Sequence, residues 1–171
     1  DNKVQFVWHE RYPITTYLVS LAIHPYTQYS EWYISLDKKP MEIQYYVFPD
    51  QYNFWQRHYS KTPRMIEIFA QLYGEYPFIE EKYGHANCLF GGGMEHQTIT
   101  SLISSTFYSD KTYEDLIAHE LAHMWWGDMI TCKTFHDIWL NEGFAVYSEA
   151  LYREQRYGKE DFHNQINASE Y

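Results

Sequence analysis

An α+β fold is predicted by three features of the sequence. The opening 48 residues or so are rich in Val, Ile, Thr and Tyr, an amphipathic helix follows Thr62-Pro63, and two further helical stretches lie near residues 113–126 and 138–157. The expected architecture is a short mixed sheet combined with two long helices, preceded by a β-rich segment.

In chain order, Val4 to His9, Ile14 to His24, Glu31 to Leu36 and Met41 to Phe48 read as strands, punctuated by Pro13, Pro25 and the turn Asp37-Lys38-Lys39-Pro40. After Pro49-Asp50 the character changes. Thr62 as cap, Pro63 in the first turn, and Met65, Ile66, Ile68, Phe69, Leu72 and Tyr73 at helical spacing predict an amphipathic helix. Residues 1–48 are therefore read as the end of a β-rich domain and residues 49–171 as the front part of a second one. His85 to Phe90 reads as a short strand, and Gly91-Gly92-Gly93 opens a further run through Glu95, Gln97, Ile99 and Ser101. Thr112 with Asp115 resembles a capping box for a helix from about Tyr113 to Trp126. Asp137 is the expected cap of a helix from Ile138 to about Tyr157, with Gly158 as its stop.

Composition narrows the function classes. With 45% hydrophobic residues the chain can build a core, and its 18 Tyr, 10 Phe and 6 Trp suit both cores and the walls of peptide-binding clefts. Thirteen Lys and Arg against 23 Asp and Glu leave a formal charge of −10, which argues against nucleic acid or an anionic membrane as partner. From Lys111 onward there are five basic and eleven acidic side chains, so much of the excess lies in the last third. Cys88 and Cys132 fit no metal-ligand spacing and are expected as buried small hydrophobes, with a mutual disulfide as the alternative. No run of 18 apolar residues is present, so no membrane span is expected. The first residue is Asp1 rather than Met, which reads as a piece of a longer chain.

The chemistry concentrates in His119-Glu120-Leu121-Ala122-His123, inside a predicted helix. One helical turn places side chains four apart on the same face, so both imidazoles can converge on one zinc ion. Catalytic zinc takes three protein ligands and keeps one position open. Glu142, in the first turns of the next helix, is the expected third ligand, with His136 as its rival. Glu120 follows a ligand in sequence, which turns its carboxylate toward a water on the metal; it is the expected general base. Glu149 lies two turns beyond Glu142 on the same helix face and is the candidate partner for the second nitrogen of a ligating histidine.

These residues resemble the zinc aminopeptidases of the aminopeptidase N family, a branch of the gluzincins. The resemblance rests on Gly92-Gly93-Met94-Glu95-His96, on His119 through Asp128, and on Trp139-Leu140-Asn141-Glu142-Gly143-Phe144-Ala145. It implies a thermolysin-like catalytic subdomain whose first block is an edge strand of the cleft. It also implies that Glu95, with Gly92, Gly93 and Met94, binds the free ammonium of a peptide substrate; read alone, the glycines would be a tight turn and Glu95 an exposed charge. His96 departs from the Asn usual in this block. The family's catalytic Tyr has no counterpart at matching distance, since Tyr147, Tyr152 and Tyr157 stand too close to Glu142. The resemblance thus implies one bound zinc ion, peptide substrates with a free N-terminus, slow turnover, and completion by a missing remainder of the parent chain. A thermolysin-type endopeptidase, an epoxide-hydrolysing relative and a metal-stabilised non-catalytic module stay open as alternatives.

Overall fold

The computed structural model describes residues 3–104 and 109–169. Its frame is a five-stranded sheet in the order β1-β2-β3-β5-β4. Strand β1 (Thr27–Ile34) and β2 (Pro40–Val47) form an antiparallel hairpin, β3 (Tyr83–Cys88) runs parallel to both β2 and β5 (Thr100–Ile103), and β4 (Gly93–Met94) closes the edge antiparallel to β5. The hairpin turns at Lys38, which adopts a positive φ of 65°, while Ser35 N–H donates to the carbonyl of Lys39 at 2.9 Å. Met41, Ile43, Tyr45 and Val47 alternate onto one face of β2 and are buried. β3 is buried along nearly its whole length, as a strand with parallel neighbours on both sides should be.

The helices cover the sheet. α1 (Tyr52–Tyr59) and α2 (Thr62–Tyr73) bury Trp55, Tyr59, Met65, Ile66 and Phe69 against it. Thr62 is the first residue of α2 and not its cap; its hydroxyl meets His85 Nε2 at 3.1 Å in the core. His85 lies in an aromatic stack, with ring centroids 4.5 Å from Tyr59 and 5.6 Å from Tyr45. Leu72, expected on the apolar face, is 44% exposed.

Three helices carry the last third: α3 (Asp110–Ala122), α4 (Ile138–Tyr157) and α5 (Lys159–Ser169). α3 starts earlier than expected because Ser109, not Thr112, is the cap: its hydroxyl accepts from Thr112 N–H at 3.2 Å. It also ends earlier, at Ala122, where the chain winds into a turn in which the carbonyls of His123, Met124 and Trp125 accept from Asp128, Met129 and Ile130 N–H. α4 runs from Ile138 to Tyr157 with Gly158 at its end, as the sequence predicts. The Asp137 side chain does not cap it and instead accepts from Thr134 Oγ1 at 3.1 Å. Buried Glu114 accepts from the hydroxyls of Tyr152 and Tyr157 at 2.9 and 2.8 Å and pairs with Lys61; Arg153 forks onto Asp115. These ties clamp α4 to α3.

Two expectations change. The strands foreseen over Val4–His9 and Ile14–His24 are absent: among the described residues, the stretch before Thr27 holds only a 3-10 turn, Thr16–Leu18. At Pro49 the chain passes from β2 into the 3-10 turn Pro49–Gln51 and then α1. Cys88 and Cys132 are free and half-buried. Among the described residues, no helix is long and apolar enough to cross a membrane.

Candidate metal centre

His119 stands in the last turn of α3, and His123 follows Ala122 with backbone angles still helical (φ −59°, ψ −23°). Their rings therefore leave the same face, and their Nε2 atoms lie 3.2 Å apart. Glu142 reaches them from the second turn of α4: its Oε2 is 3.2 Å from His119 Nε2 and 3.5 Å from His123 Nε2. Zinc bonds of about 2.0–2.1 Å at tetrahedral angles separate ligand atoms by roughly 3.3–3.4 Å. The triad fits that ion. His136, the rival third ligand, lies exposed in the turn Phe135–Asp137 and belongs to no metal-ready group among the described residues.

The outer nitrogens are held. His119 Nδ1 meets Glu149 Oε1 at 2.6 Å, and Glu149 in turn accepts from Gln165 Nε2 of α5 at 2.7 Å. His123 Nδ1 faces the carbonyl of Trp126 at 3.0 Å. With Nδ1 held outward, Nε2 is the atom each ring would offer to a metal. Burial weighs against protonation of His119, but the carboxylates of Glu142 and Glu149 outweigh it and push its pKa up to about 10. Hydrogen bonds from the two imidazoles hold Glu142 far below the usual carboxylate range.

Glu120, between the two histidines in sequence, is buried and faces the edge strand. Burial pushes its pKa up to about 7, against the pull of His119 and His123 and with the push of Glu95 and Glu142. Its carboxylate lies against the backbone of Gly93: a Cβ there would fall 2.6 Å from Glu120 Cδ. Gly127 makes a second close approach, with φ +147° and only 3.0 Å between a notional Cβ and His123 Nδ1.

Glu95 follows β4 directly and is buried. Its carboxylate lies within 4.8 Å of a Glu120 oxygen and a His123 nitrogen. Those three groups could also be read as a metal set. However, Nδ1 of His123 already faces Trp126, so such a set would compete for the same Nε2 that completes the tighter triad. Gly93 and Met94 form the edge strand, and Gly92, at φ +75°, offers its carbonyl to Ile103 N–H at 2.8 Å. His96, the departure from the family pattern, ties the turn to β5 through Nδ1 and Ser101 Oγ at 2.9 Å, and burial lowers its pKa. Tyr152 and Tyr157 hold Glu114 with their hydroxyls.

Sequence reasoning missed a buried group here. Asp128 has both carboxylate oxygens buried without a partner, and burial, reinforced by Glu95 and Glu120, holds its pKa well above the usual range. Its place in the second motif block was the signal available.

Comparison with known proteins gives a consistent picture. The peptidase family M1 domain matches residues 57–171. Endoplasmic reticulum aminopeptidase 1 of Mus musculus is 26% identical over 146 residues, covering 80% of this chain and 15% of that protein. Leukotriene A-4 hydrolase of Xenopus laevis is 27% identical over 174 residues, covering 94% and 25% respectively. The crystal structure of an M1 zinc metallopeptidase from Deinococcus radiodurans superposes with a TM-score of 0.68 at 26% identity, covering 85% of this chain and 32% of that one. The chain thus spans a quarter or less of the length of these two curated relatives.

Proposed function

Since the chain belongs to peptidase family M1, we propose that it carries the metal site of a zinc aminopeptidase that removes N-terminal residues from peptides. The observation that supports this most is the meeting of His119 Nε2, His123 Nε2 and Glu142 Oε2 at 3.2–3.5 Å, with Glu120 and Glu95 gathered beside them. A zinc ion held by this triad supplies Lewis acidity to a water and to the scissile carbonyl. Glu120 is the general base: its carboxylate accepts a proton from the attacking water and hands it to the leaving amine. Its burial beside the ligand histidines keeps it next to the atoms between which the proton moves. Glu149 and the Trp126 carbonyl orient the ligand imidazoles.

Glu95 is the amine anchor. A buried carboxylate facing the substrate ammonium fixes the N-terminus one residue from the scissile bond, which makes the site an exopeptidase rather than an endopeptidase. Gly92, Gly93 and Met94 present an edge along which an extended peptide can lie. A structural zinc module needs no base, and the buried Glu120 weighs against that reading. As for domains, residues 1–48 are read as the end of a preceding β-rich domain and residues 49–171 as the front of the catalytic domain, a reading supported by the passage from strand to helix at Pro49.

Zinc content and aminoacyl-arylamide hydrolysis, measured together on wild type, Glu120→Gln and Glu95→Gln, test this reading. Glu120→Gln should keep its metal and lose about 10²–10⁴-fold in rate. Glu95→Gln should lose discrimination between free and N-acetylated substrates. Absence of stoichiometric zinc in the wild type, or full activity in Glu120→Gln, would overturn it.

A further inference from the structure

Helices α4 and α5 form a hairpin whose facing residues keep step. Gly158, at φ +100°, ends α4 and turns the chain back, and its carbonyl accepts from Phe162 N–H at 3.3 Å as α5 begins. Asp161 of α5 stands 3.7 Å from Arg153 Nη1 of α4 and also pairs with Lys111 of α3. Four residues on along α5 and four back along α4, Gln165 Nε2 donates to Glu149 Oε2 at 2.7 Å. Residues four apart share a helix face, so one side of α5 delivers both contacts. Phe162 lies between them and meets Tyr147 edge-on, with ring centroids 6.1 Å apart.

From Glu149 the row of contacts continues into the metal centre. Its other oxygen, Oε1, meets His119 Nδ1 at 2.6 Å, and the opposite nitrogen of that ring faces Glu142. A carboxylate can only accept, so the Gln165 amide presents its N–H and holds Oε2 in place. Only 12% of the Glu149 side chain is exposed, so water is a poor substitute for that donor. An amide also suits the task better than a cation. A lysine or arginine at this place would neutralise the charge that orients the imidazole and makes it a stronger ligand.

We propose that Gln165 is a positioning residue for the metal centre: it fixes the Glu149 carboxylate, which fixes the ring of His119, so that the docking of α5 sets how tightly zinc is held. The inference rests on the reading of His119, His123 and Glu142 as the zinc ligands. It gives α5, which lies outside all three motif blocks, a part in metal binding.

The test is a double-mutant cycle on the zinc dissociation constant, read by competition with a chromophoric chelator in wild type, Gln165→Met, Glu149→Gln and the double variant. The thermal midpoint of each metal-free protein is measured alongside, to establish that all four fold. Gln165→Met keeps the length and helix propensity of the side chain and removes the donor. Alone, it should weaken zinc binding by on the order of threefold to tenfold, less than the roughly 10–100-fold of a change to the group that touches the ligand. In the Glu149→Gln background it should weaken binding no further. An unchanged affinity in Gln165→Met overturns the inference, and so does a loss of equal size in both backgrounds, which would mean helix packing alone. If Glu149→Gln binds zinc as wild type does, Glu149 and Gln165 both lose their part while the ligand triad stands. If wild type itself fails to bind one equivalent of zinc, the ligand reading falls and this inference with it.

Discussion

Nδ1 of His119 lies 2.6 Å from Oε1 of Glu149, two turns along α4 from the carboxylate that faces the other nitrogen of the same ring. One helix thus contacts both sides of one imidazole. Glu149→Gln keeps the shape but removes the charge that orients the ring and raises its basicity. Zinc affinity should drop by about 10–100-fold. Competition against a chromophoric chelator measures this, and an unchanged affinity would remove Glu149 from the site.

Gly93→Ala probes the contact between edge strand and base. The added methyl would fall 2.6 Å from Glu120 Cδ and Cγ, too close for the buried carboxylate to keep its place. Metal content should stay at one equivalent while hydrolysis falls by on the order of 100-fold, the usual consequence of misplacing a reacting group by about 1 Å. Full activity in this variant would show that Glu120 has freedom the packing denies it.

Gly127→Ala acts on the other histidine. Its φ of +147° disfavours any side chain, and the methyl would press on His123 Nδ1, where the Trp126 carbonyl now sits. Stability should drop by about 1–3 kcal/mol and zinc should bind more weakly. Denaturation with and without metal separates the two effects: the gap between the curves should narrow relative to wild type.

His85 makes stability depend on pH. Full burial lowers its pKa from 6.5 to about 3, so between those values the unfolded chain binds a proton that the folded one refuses. Stability is therefore complete above about pH 6.5 and declines as pH falls toward 3, with a slope of up to roughly 1.4 kcal/mol per pH unit from this group. His85→Phe retains a ring between Tyr45 and Tyr59 and gives up the Thr62 bond. It should lose that portion of the acid sensitivity. Denaturant titrations at pH 7, 5 and 4 measure the slope, and equal slopes in both proteins would contradict the assignment.

The parts of this arrangement written in local spacing were legible in the sequence. Histidines four apart on a helix share a face whatever surrounds them, and Glu142 and Glu149, seven apart, share one face of α4. Gly158 and the alternation of β2 likewise encode their own geometry. Patterns that need a distant partner misled. Val4, Phe6, Val7 and Trp8 have the composition of a strand, yet all are largely exposed and pair with no neighbouring strand among the described residues. The cap of α3 went to Ser109 because a serine three residues ahead of Thr112 offers the same hydroxyl at the true helix start. Asp128 stood in the second motif block, but that both its carboxylate oxygens are buried without a partner is visible only in three dimensions.

Of the three donors His119 lies in α3, His123 caps its end and Glu142 lies in α4, so an ion bound there would cross-link neighbouring helices. Its binding energy then adds to the cohesion of the fold by mass action, rising by about 1.4 kcal/mol for each tenfold increase in free zinc above the dissociation constant. Removal of the metal would then be felt as lost rigidity in the last third of the chain, which limited proteolysis with and without a chelator would register.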